Sequence, residues 1–358
     1  MQSLPPALFL VMLELTVGAF VTLYLLDLRG DTSRGYIVFQ GVLYAFFALL
    51  TYGAMQAFAT KDLLCRVGLC KQNLDAAWLT WQQPLVILFA LLIIPWNVLL
   101  WMDRSAARKK GKHAADSGDA EADESRGPAR QPARRARAAG DIAFAGDRQI
   151  ILARRVVGAL TSLLGFAAVF VVAMAYRPLA AAHLGGAFVV AAFFAGALAL
   201  GGVTTAMLLG HWYLNTPTAS GKPLEFTTSL LLVGLLAELA FALALGPSTA
   251  HTLPNATSVS PGTTIQTSGG TVVVTTPTPG KTGQPTQTVD RITPIDTTAM
   301  LGLQYAMGIL APLILGGVAL WLTRGRSFQS ATGMLYLCMA FIFIGEILAR
   351  GLLLLPVL

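Results

Sequence analysis

The sequence predicts an all-α membrane protein, a polytopic helical bundle of about eight transmembrane helices with both termini on the outer side. Its composition is 55 % hydrophobic and only 12 % charged, whereas soluble domains carry about 25 % charged residues. The hydrophobic residues also come in long uninterrupted runs, and roughly 20 apolar residues span a bilayer as a helix. Of the 25 Lys and Arg, 13 lie between Arg104 and Arg155. The net charge of +7 therefore indicates membrane topology rather than nucleic-acid binding.

Eight hydrophobic segments follow one another along the chain. Three of them fall in an N-terminal group (1–102), three in a central group (156–246) and two in a C-terminal pair (298–358). The fifth segment carries a small residue at every fourth position, which favours close helix–helix contact in a membrane. The predicted spans are residues 5–26, 35–58, 83–102, 156–176, 183–213, 226–245, 299–322 and 332–357.

The loops that follow the odd-numbered spans hold most of the basic residues. Cytoplasmic loops of membrane proteins carry an excess of Lys and Arg. We therefore expect these loops on the cytoplasmic side and a multi-pass protein of the cell inner (plasma) membrane. In the loops after the first, fifth and seventh spans, the basic residues are Arg29 and Arg34, Lys222, and Arg324 and Arg326.

Two long connections contain too few large apolar residues to form a packed core. The cytoplasmic loop 103–155 is basic and rich in Ala, Gly and Pro, so we expect its middle to be disordered. The outer loop 247–297 is a Thr/Pro-rich low-complexity segment. Within it, residues 264–274 predict a β-hairpin that turns around Ser268-Gly269-Gly270.

The segment 60–81 is polar but contains several leucines and two tryptophans. We expect a short outer interfacial helix, with Trp78 and Trp81 at the level of the lipid headgroups. Within the same segment Cys65 and Cys70 are five residues apart, and they could form a disulfide in an oxidising compartment.

Three glutamates fall well inside spans, namely Glu14, Glu238 and Glu346. Each lies roughly 10–18 Å below the outer boundary at 1.5 Å per residue. Arg350 follows Glu346 by four residues, which places both side chains on one helix face. Charges inside a membrane are costly and usually face protein or water. The set is either a proton-accepting site or a group of structural hydrogen bonds between helices. Asn97 is a further polar candidate, towards the cytoplasmic half.

The run Gly345-Glu346-Ile347-Leu348-Ala349-Arg350-Gly351 resembles the end of the final helix in the DmsC/NrfD (polysulfide-reductase C-like) family of quinol-interacting membrane subunits. The resemblance implies a quinone pocket near the outer face, menaquinone or another quinone as a transient cofactor, and an iron–sulfur partner protein. Only Glu346 and Arg350 match the motif. After the second span, Thr51-Tyr52-Gly53-Ala54 stands where that family has a His-Leu-Gly or Asp-Leu-Gly-x-Pro segment, so no quinone-binding histidine carries over.

No intrinsic metal cofactor is expected from this sequence. His183 and His211 are 28 residues apart, about 42 Å along one helix, so they cannot ligate the same iron. A haem with one His and one Met ligand is left open. No phosphate-binding loop, dinucleotide fingerprint or cysteine cluster is present in the sequence.

The sequence thus favours an integral membrane subunit of a respiratory or photosynthetic electron-transfer complex that interacts with a quinone or quinol near the outer face. It would at most be a non-catalytic or quinone-reactive subunit of an oxidoreductase complex. Its expected partners are the lipid bilayer, the quinone, and iron–sulfur or cytochrome subunits, with no nucleic acid. Two alternatives stay open: a proton-coupled secondary transporter that uses the same glutamates, and a structural membrane subunit of a larger complex.

Overall fold

The computed structural model confirms the predicted all-α bundle. It describes residues 4–66, 74–116, 148–179, 185–216, 220–245, 264–268, 271–275 and 297–354. Within these ranges, eight helical segments are long and apolar enough to cross a membrane. The protein is therefore a multi-pass integral membrane protein whose surface contacts lipid.

The helices follow the order of the hydrophobic segments. The seventh span is composite, because the π-helix Gln304–Leu310 separates two α-helical parts. The elements are α1 (Leu4–Arg29), α2 (Arg34–Phe58), the short α3 (Lys61–Arg66), α4 (Ala76–Asp116), α5 (Arg148–Tyr176), a 3₁₀ turn (Arg177–Leu179), α6 (Gly185–Asn215), α7 (Lys222–Leu245), β1 (Thr264–Ser268), β2 (Thr271–Thr275), α8 (Thr297–Leu303), the π-helix, α9 (Ala311–Arg324) and α10 (Phe328–Leu354).

Helices α1 and α6 form the centre of the bundle. Helix α1 packs against α2, α5, α6 and α10, while α6 also contacts α7 and α10. Small residues permit this arrangement, because a side chain at Gly18 would run into the backbone of Ala197. Membrane helices often pack closely at small residues such as glycine and alanine. Because lipid tails are as apolar as the helix faces, close packing rather than hydrophobic burial stabilises the contact.

Helix α2 has one face that packs against the bundle and one that is exposed to lipid. Its buried face carries Tyr44, whose hydroxyl lies 2.9 Å from Thr205 Oγ1 of α6, and Tyr36, whose hydroxyl donates to the Thr205 carbonyl. Its other face exposes large apolar side chains with helical spacing, as expected for contact with lipid. Those exposed residues are Phe39, Val42, Phe46 and Leu49.

The helices around the third span are longer than the predicted segments. Helix α4 already begins at Ala76, so Trp78 and Trp81 belong to it rather than to a separate interfacial helix. In the described part of that connection, α3 is the short helix. At its other end α4 continues to Asp116, and α5 begins at Arg148. Both helices extend into the predicted basic loop, because Ala, Lys and Arg are good helix formers. The middle of that loop lies outside the described residues.

The predicted hairpin in the outer loop is confirmed. Strands β1 and β2 pair in antiparallel register, with Thr264 opposite Thr275 and Ser268 opposite Thr271. The predicted turn residues Gly269 and Gly270 lie outside the described residues. Cys70, which would be needed for the predicted disulfide with Cys65, also lies outside them.

Candidate functional site

Arg350 forms a buried ion-pair cluster with two of the predicted glutamates. Its Nη2 atom lies 2.7 Å from Glu14 Oε1 of α1 and 3.1 Å from Glu346 Oε2 of α10. Glu14 is fully buried, and Glu346 and Arg350 are 5 % and 6 % exposed. The four-residue spacing on α10 sets the Glu346–Arg350 contact, whereas the Glu14 contact depends on the packing of α1 against α10.

Helix α6 supports the same guanidinium from a third direction. Arg350 Nη2 donates to the carbonyl oxygen of Ala192 at 3.4 Å, and its Cζ lies 4.2 Å from the centroid of the Phe193 ring, a cation–π contact. The next turn of α6 presents Gly196. A methyl group at this position would lie 2.9 Å from Arg350 Nη2 and 3.1 Å from Glu346 Oε1. The absence of a side chain there leaves the space that the ion pair occupies.

Glu238 of α7 completes the cluster. Its carboxyl group interacts electrostatically with Glu346, Arg350 and Glu14. The structure therefore brings together three carboxyl groups and one guanidinium, contributed by α1, α7 and α10. We call this group the Glu–Arg cluster.

The Glu–Arg cluster leaves several hydrogen-bonding atoms without partners. Glu14 Oε2, Glu238 Oε1 and the Arg350 Nε donor are buried, and none of them has a hydrogen-bond partner among the described residues. A buried carboxylate oxygen without a donor is costly. With one guanidinium and three carboxyls, the cluster is electrically neutral only when two of the carboxyls carry protons. The arrangement is thus suited to holding and exchanging protons inside the membrane.

The π-helix of the seventh span packs beside this cluster. Gly308 of the π-helix meets Gly345 of α10 so closely that a methyl group at Gly308 would lie 2.9 Å from the Gly345 Cα atom. Gly345 directly precedes Glu346 in the sequence. Single π-helical turns inside spans are often found at functional sites. Sequence reasoning missed this feature, because the π-helical residues have no composition that distinguishes them from an α-helix.

Asn97 is not brought to the cluster. Its Nδ2 atom donates to the carbonyl oxygens of Gly41 at 3.0 Å and Ile93 at 2.9 Å, so the side chain joins α4 to α2. His211, at the last turns of α6, has its Nδ1 atom 3.5 Å from the Tyr336 hydroxyl, and His183 lies outside the described residues. Among the residues that the structure describes, no three His, Cys, Asp or Glu side chains are grouped to hold a metal ion.

A second buried ion network was missed by sequence reasoning. Asp103 Oδ2 lies 2.6 Å from both Arg34 Nη1 and Arg154 Nη1, and Arg154 Nε lies 3.1 Å from Asp27 Oδ2. It joins the ends of α1 and the third span to the starts of α2 and α5. A signal was available, since Asp27 and Asp103 each end a span on the side where the next span begins with arginine. We call this group the Asp–Arg network.

Comparisons with protein family models, curated proteins and solved structures return no match. They do not bear on the resemblance of residues 345–351 to the quinol-interacting subunits, which stays a prediction.

Proposed function

We propose that this chain is an integral membrane subunit of a respiratory or photosynthetic electron-transfer complex in the inner (plasma) membrane. Its role would be to interact with a quinol near the outer face, with the Glu–Arg cluster accepting the protons that quinol oxidation releases. One observation carries the proposal: inside the membrane, two carboxylates contact a single guanidinium, and the carboxyl group of Glu238 interacts with them electrostatically. Intramembrane carboxyls in excess of their cations are typical of proton pathways.

The proton count of the cluster suits this chemistry. Oxidation of a quinol to a quinone releases two electrons and two protons. When fully deprotonated, the cluster has a net charge of two negative units, so it accepts two protons before it becomes positive. The two electrons would pass to an iron–sulfur or cytochrome group of a partner subunit, with menaquinone or another quinone as the transient cofactor.

The depth of the cluster supports release of these protons to one side. Glu14 lies ten residues after the first residue of α1, and Arg350 lies four residues before the last residue of α10. At 1.5 Å per residue these positions are about 15 Å and about 6 Å from their helix ends. Both ends are on the same side of the bundle, which the distribution of basic residues predicts to be the outer side.

A gentle detergent purification from the native membrane tests this proposal directly. Mass spectrometry would identify the co-purifying chains and the extracted quinone. We expect iron–sulfur or cytochrome subunits together with bound quinone. Partner subunits without quinone would favour a purely structural subunit and contradict the proposed role.

The role of the cluster itself is tested with Glu346→Gln, which keeps the size of the side chain but removes its ability to bind a proton. General acid–base groups contribute about 10²–10⁴-fold to rates, so we expect quinol-linked turnover to fall by at least about a hundredfold in a complex that still assembles. Glu225→Gln is the matched control, because Glu225 lies in the first turn of α7 at the opposite end from Glu238. Equal turnover in the two assembled variants would rule out the assigned role.

A proton-coupled secondary transporter is the second candidate. It is favoured by the buried glutamates, because intramembrane carboxyl groups form the proton relays of pumps and transporters. A solitary purified protein without quinone, with uptake that depends on a proton gradient and is lost in Glu346→Gln, would select this candidate instead.

A further inference from the structure

A cleft of about 250 Å³ opens beside the Asp–Arg network, at the ends of α1, α2 and α5. Four arginines line it, two of which are the network residues Arg34 and Arg154. The other two, Arg29 and Arg155, are exposed at its rim. Because four guanidinium groups converge on one small volume, the cleft is a candidate site for an anion.

The charges around the cleft do not cancel. Asp27 and Asp103 pair with the two inner arginines, and Asp31 lies 3.9 Å from Arg29 on the exposed rim. Four guanidinium groups against three carboxylates leave one positive charge in excess. No carboxylate of the described residues lies within ion-pair distance of Arg155. The excess equals the charge of one phosphodiester group.

One residue of the lining has a hydroxyl group without a partner. Thr32 lines the cleft and is 9 % exposed, and its Oγ1 atom has no hydrogen-bond partner among the described residues. Buried hydroxyl groups nearly always find a partner. The lining thus combines cations with a vacant hydrogen-bond donor, which is the set of groups that a phosphate oxygen requires.

The backbone holds these groups in place. Gly30 ends α1 with a φ angle of 71°, a left-handed conformation that glycine adopts without strain, and this turn brings the start of α2 back to α1. The Tyr24 hydroxyl donates to the Arg155 carbonyl oxygen at 2.9 Å. The cleft is therefore built by three helix ends rather than by flexible side chains alone.

The cleft lies at the edge of the membrane. It is formed at the last residues of α1 and the first residues of α2, both of which are spanning helices. Arg29 Cζ stacks 4.3 Å above the ring centroid of Phe226, near the start of the sixth span. Basic clefts between helices at this level suit lipid headgroups, since the acyl chains can remain in the bilayer.

We propose that this cleft binds the phosphate of an anionic phospholipid on the predicted cytoplasmic side of the membrane. The guanidinium groups of Arg29 and Arg155 and the hydroxyl of Thr32 contact the phosphate oxygens, while Arg34 and Arg154 shape the base of the cleft through the Asp–Arg network. This site does not depend on the proposed electron-transfer function.

The test uses the full-length protein in detergent with short-chain phosphatidylglycerol as the probe. Binding is measured by native mass spectrometry and by thermophoresis. We expect Arg29→Gln/Arg155→Gln to raise the Kd by about thirtyfold, the loss expected for two arginines at a lipid surface. Thr32→Val changes no charge, and we expect it to raise the Kd by about tenfold through loss of one charge-assisted hydrogen bond.

Two exposed arginines on the same side provide the matched control. Arg324→Gln/Arg326→Gln removes the same charge from the end of α9 and the turn that follows it, and we expect it to leave the Kd within about twofold, because neither residue lines the cleft. Equal weakening by the control pair would overturn the proposal, since binding would then follow net charge alone. An unchanged Kd in Thr32→Val would overturn the assigned contact.

Two further probes identify the source of the phosphate. Phosphatidylcholine carries a phosphate but no net charge, and we expect it to bind far more weakly than phosphatidylglycerol. Inorganic phosphate should not displace the lipid probe at equal concentration. Displacement by inorganic phosphate would show that the cleft takes a soluble anion and would refute the lipid proposal. Arg29→Lys/Arg155→Lys should retain most of the binding, which separates lost charge from misfolding.

Discussion

Arg350 is held by four neighbours in the described core. It pairs with Glu14 and Glu346, reaches the Ala192 carbonyl and stacks on Phe193. Removing one member of a buried ion pair leaves an uncompensated charge, which costs about 3–5 kcal/mol in soluble proteins. The geometry of the cluster therefore depends on the space around this one guanidinium.

Gly196→Ala tests that dependence without changing any charge. The added methyl group would lie 2.9 Å from Arg350 Nη2, so either the guanidinium or α6 must shift. Overpacking of this kind costs about 1–3 kcal/mol. We expect a lower melting temperature in detergent, together with reduced activity in the assay that Glu346→Gln affects.

Gly333→Ala is the control for helix propensity. Gly333 lies in α10 with nothing within 4 Å of a new methyl group. The substitution should be neutral or stabilising, since alanine is favoured over glycine in helices by up to about 1 kcal/mol. Equal melting temperatures for the two variants would mean that the space at Gly196 is not required.

At the residue level, the sequence predicted the acidic residues of the Glu–Arg cluster, but not the glycine that leaves space for its guanidinium group. Glu14, Glu238 and Glu346 are conspicuous because carboxyls are rare in apolar helices. Gly196 is one of 35 glycines in the chain, and nothing in its neighbourhood marks it as the one beside the guanidinium. That role arises only when α6 packs against α10.

At the level of elements, the Asp–Arg network connects four helices at one end of the bundle. Arg154 of α5 and Arg34 of α2 each pair with both Asp27 of α1 and Asp103 of α4. Because each charge has two partners, the helix ends are coupled to one another. The Asp–Arg network lies at the C-terminal end of α1, whereas the Glu–Arg cluster lies in the N-terminal half of the same helix.

A double-mutant cycle on Arg154→Gln and Asp103→Asn measures this coupling. Contacting residues in one network show interaction energies of about 0.5–3 kcal/mol, and we expect a value in the upper half of that range because both side chains are buried. The unfolding free energy would be measured in detergent by denaturant titration. The exposed pair Arg29–Asp31, 3.9 Å apart, is the control, with an expected coupling of about 0–1 kcal/mol. A buried pair no more coupled than this would contradict a network role.

The sequence predicted the spanning elements well, since a run of about 20 apolar residues has few alternatives to a membrane helix. The hairpin at β1 and β2 was also predictable, because alternating β-formers flank a Gly-Gly turn. The ends of the helices were harder to predict from the sequence. Helix α4 begins at Ala76 and continues to Asp116, because a helix can extend beyond the membrane into segments that are not hydrophobic. The π-helix at Gln304–Leu310 depends on packing against α10 and has no local signature.

At the scale of the whole molecule, α1 connects two charged sites of different character. Glu14 and Asp27 are 13 residues apart on this helix, about 20 Å along its axis. The Glu–Arg cluster has an excess of carboxyls, whereas the cleft at the other end has an excess of arginines. This difference in charge between the two sites arises only from tertiary packing, because each site is formed by residues from at least three helices.

The orientation of these two sites across the membrane is a prediction from the basic loops, and cysteine labelling in intact cells tests it. In a background without native cysteines, Asp62→Cys reports on the connection between the second and third spans, and Ser327→Cys reports on the turn between the seventh and eighth. Both positions are exposed. Since the excess of Lys and Arg predicts a cytoplasmic location for the second position, a membrane-impermeant maleimide should label Asp62→Cys and should reach Ser327→Cys only after the membrane is permeabilised. The reverse pattern would place the Glu–Arg cluster near the cytoplasmic face, and protons from a quinol would then be released inward.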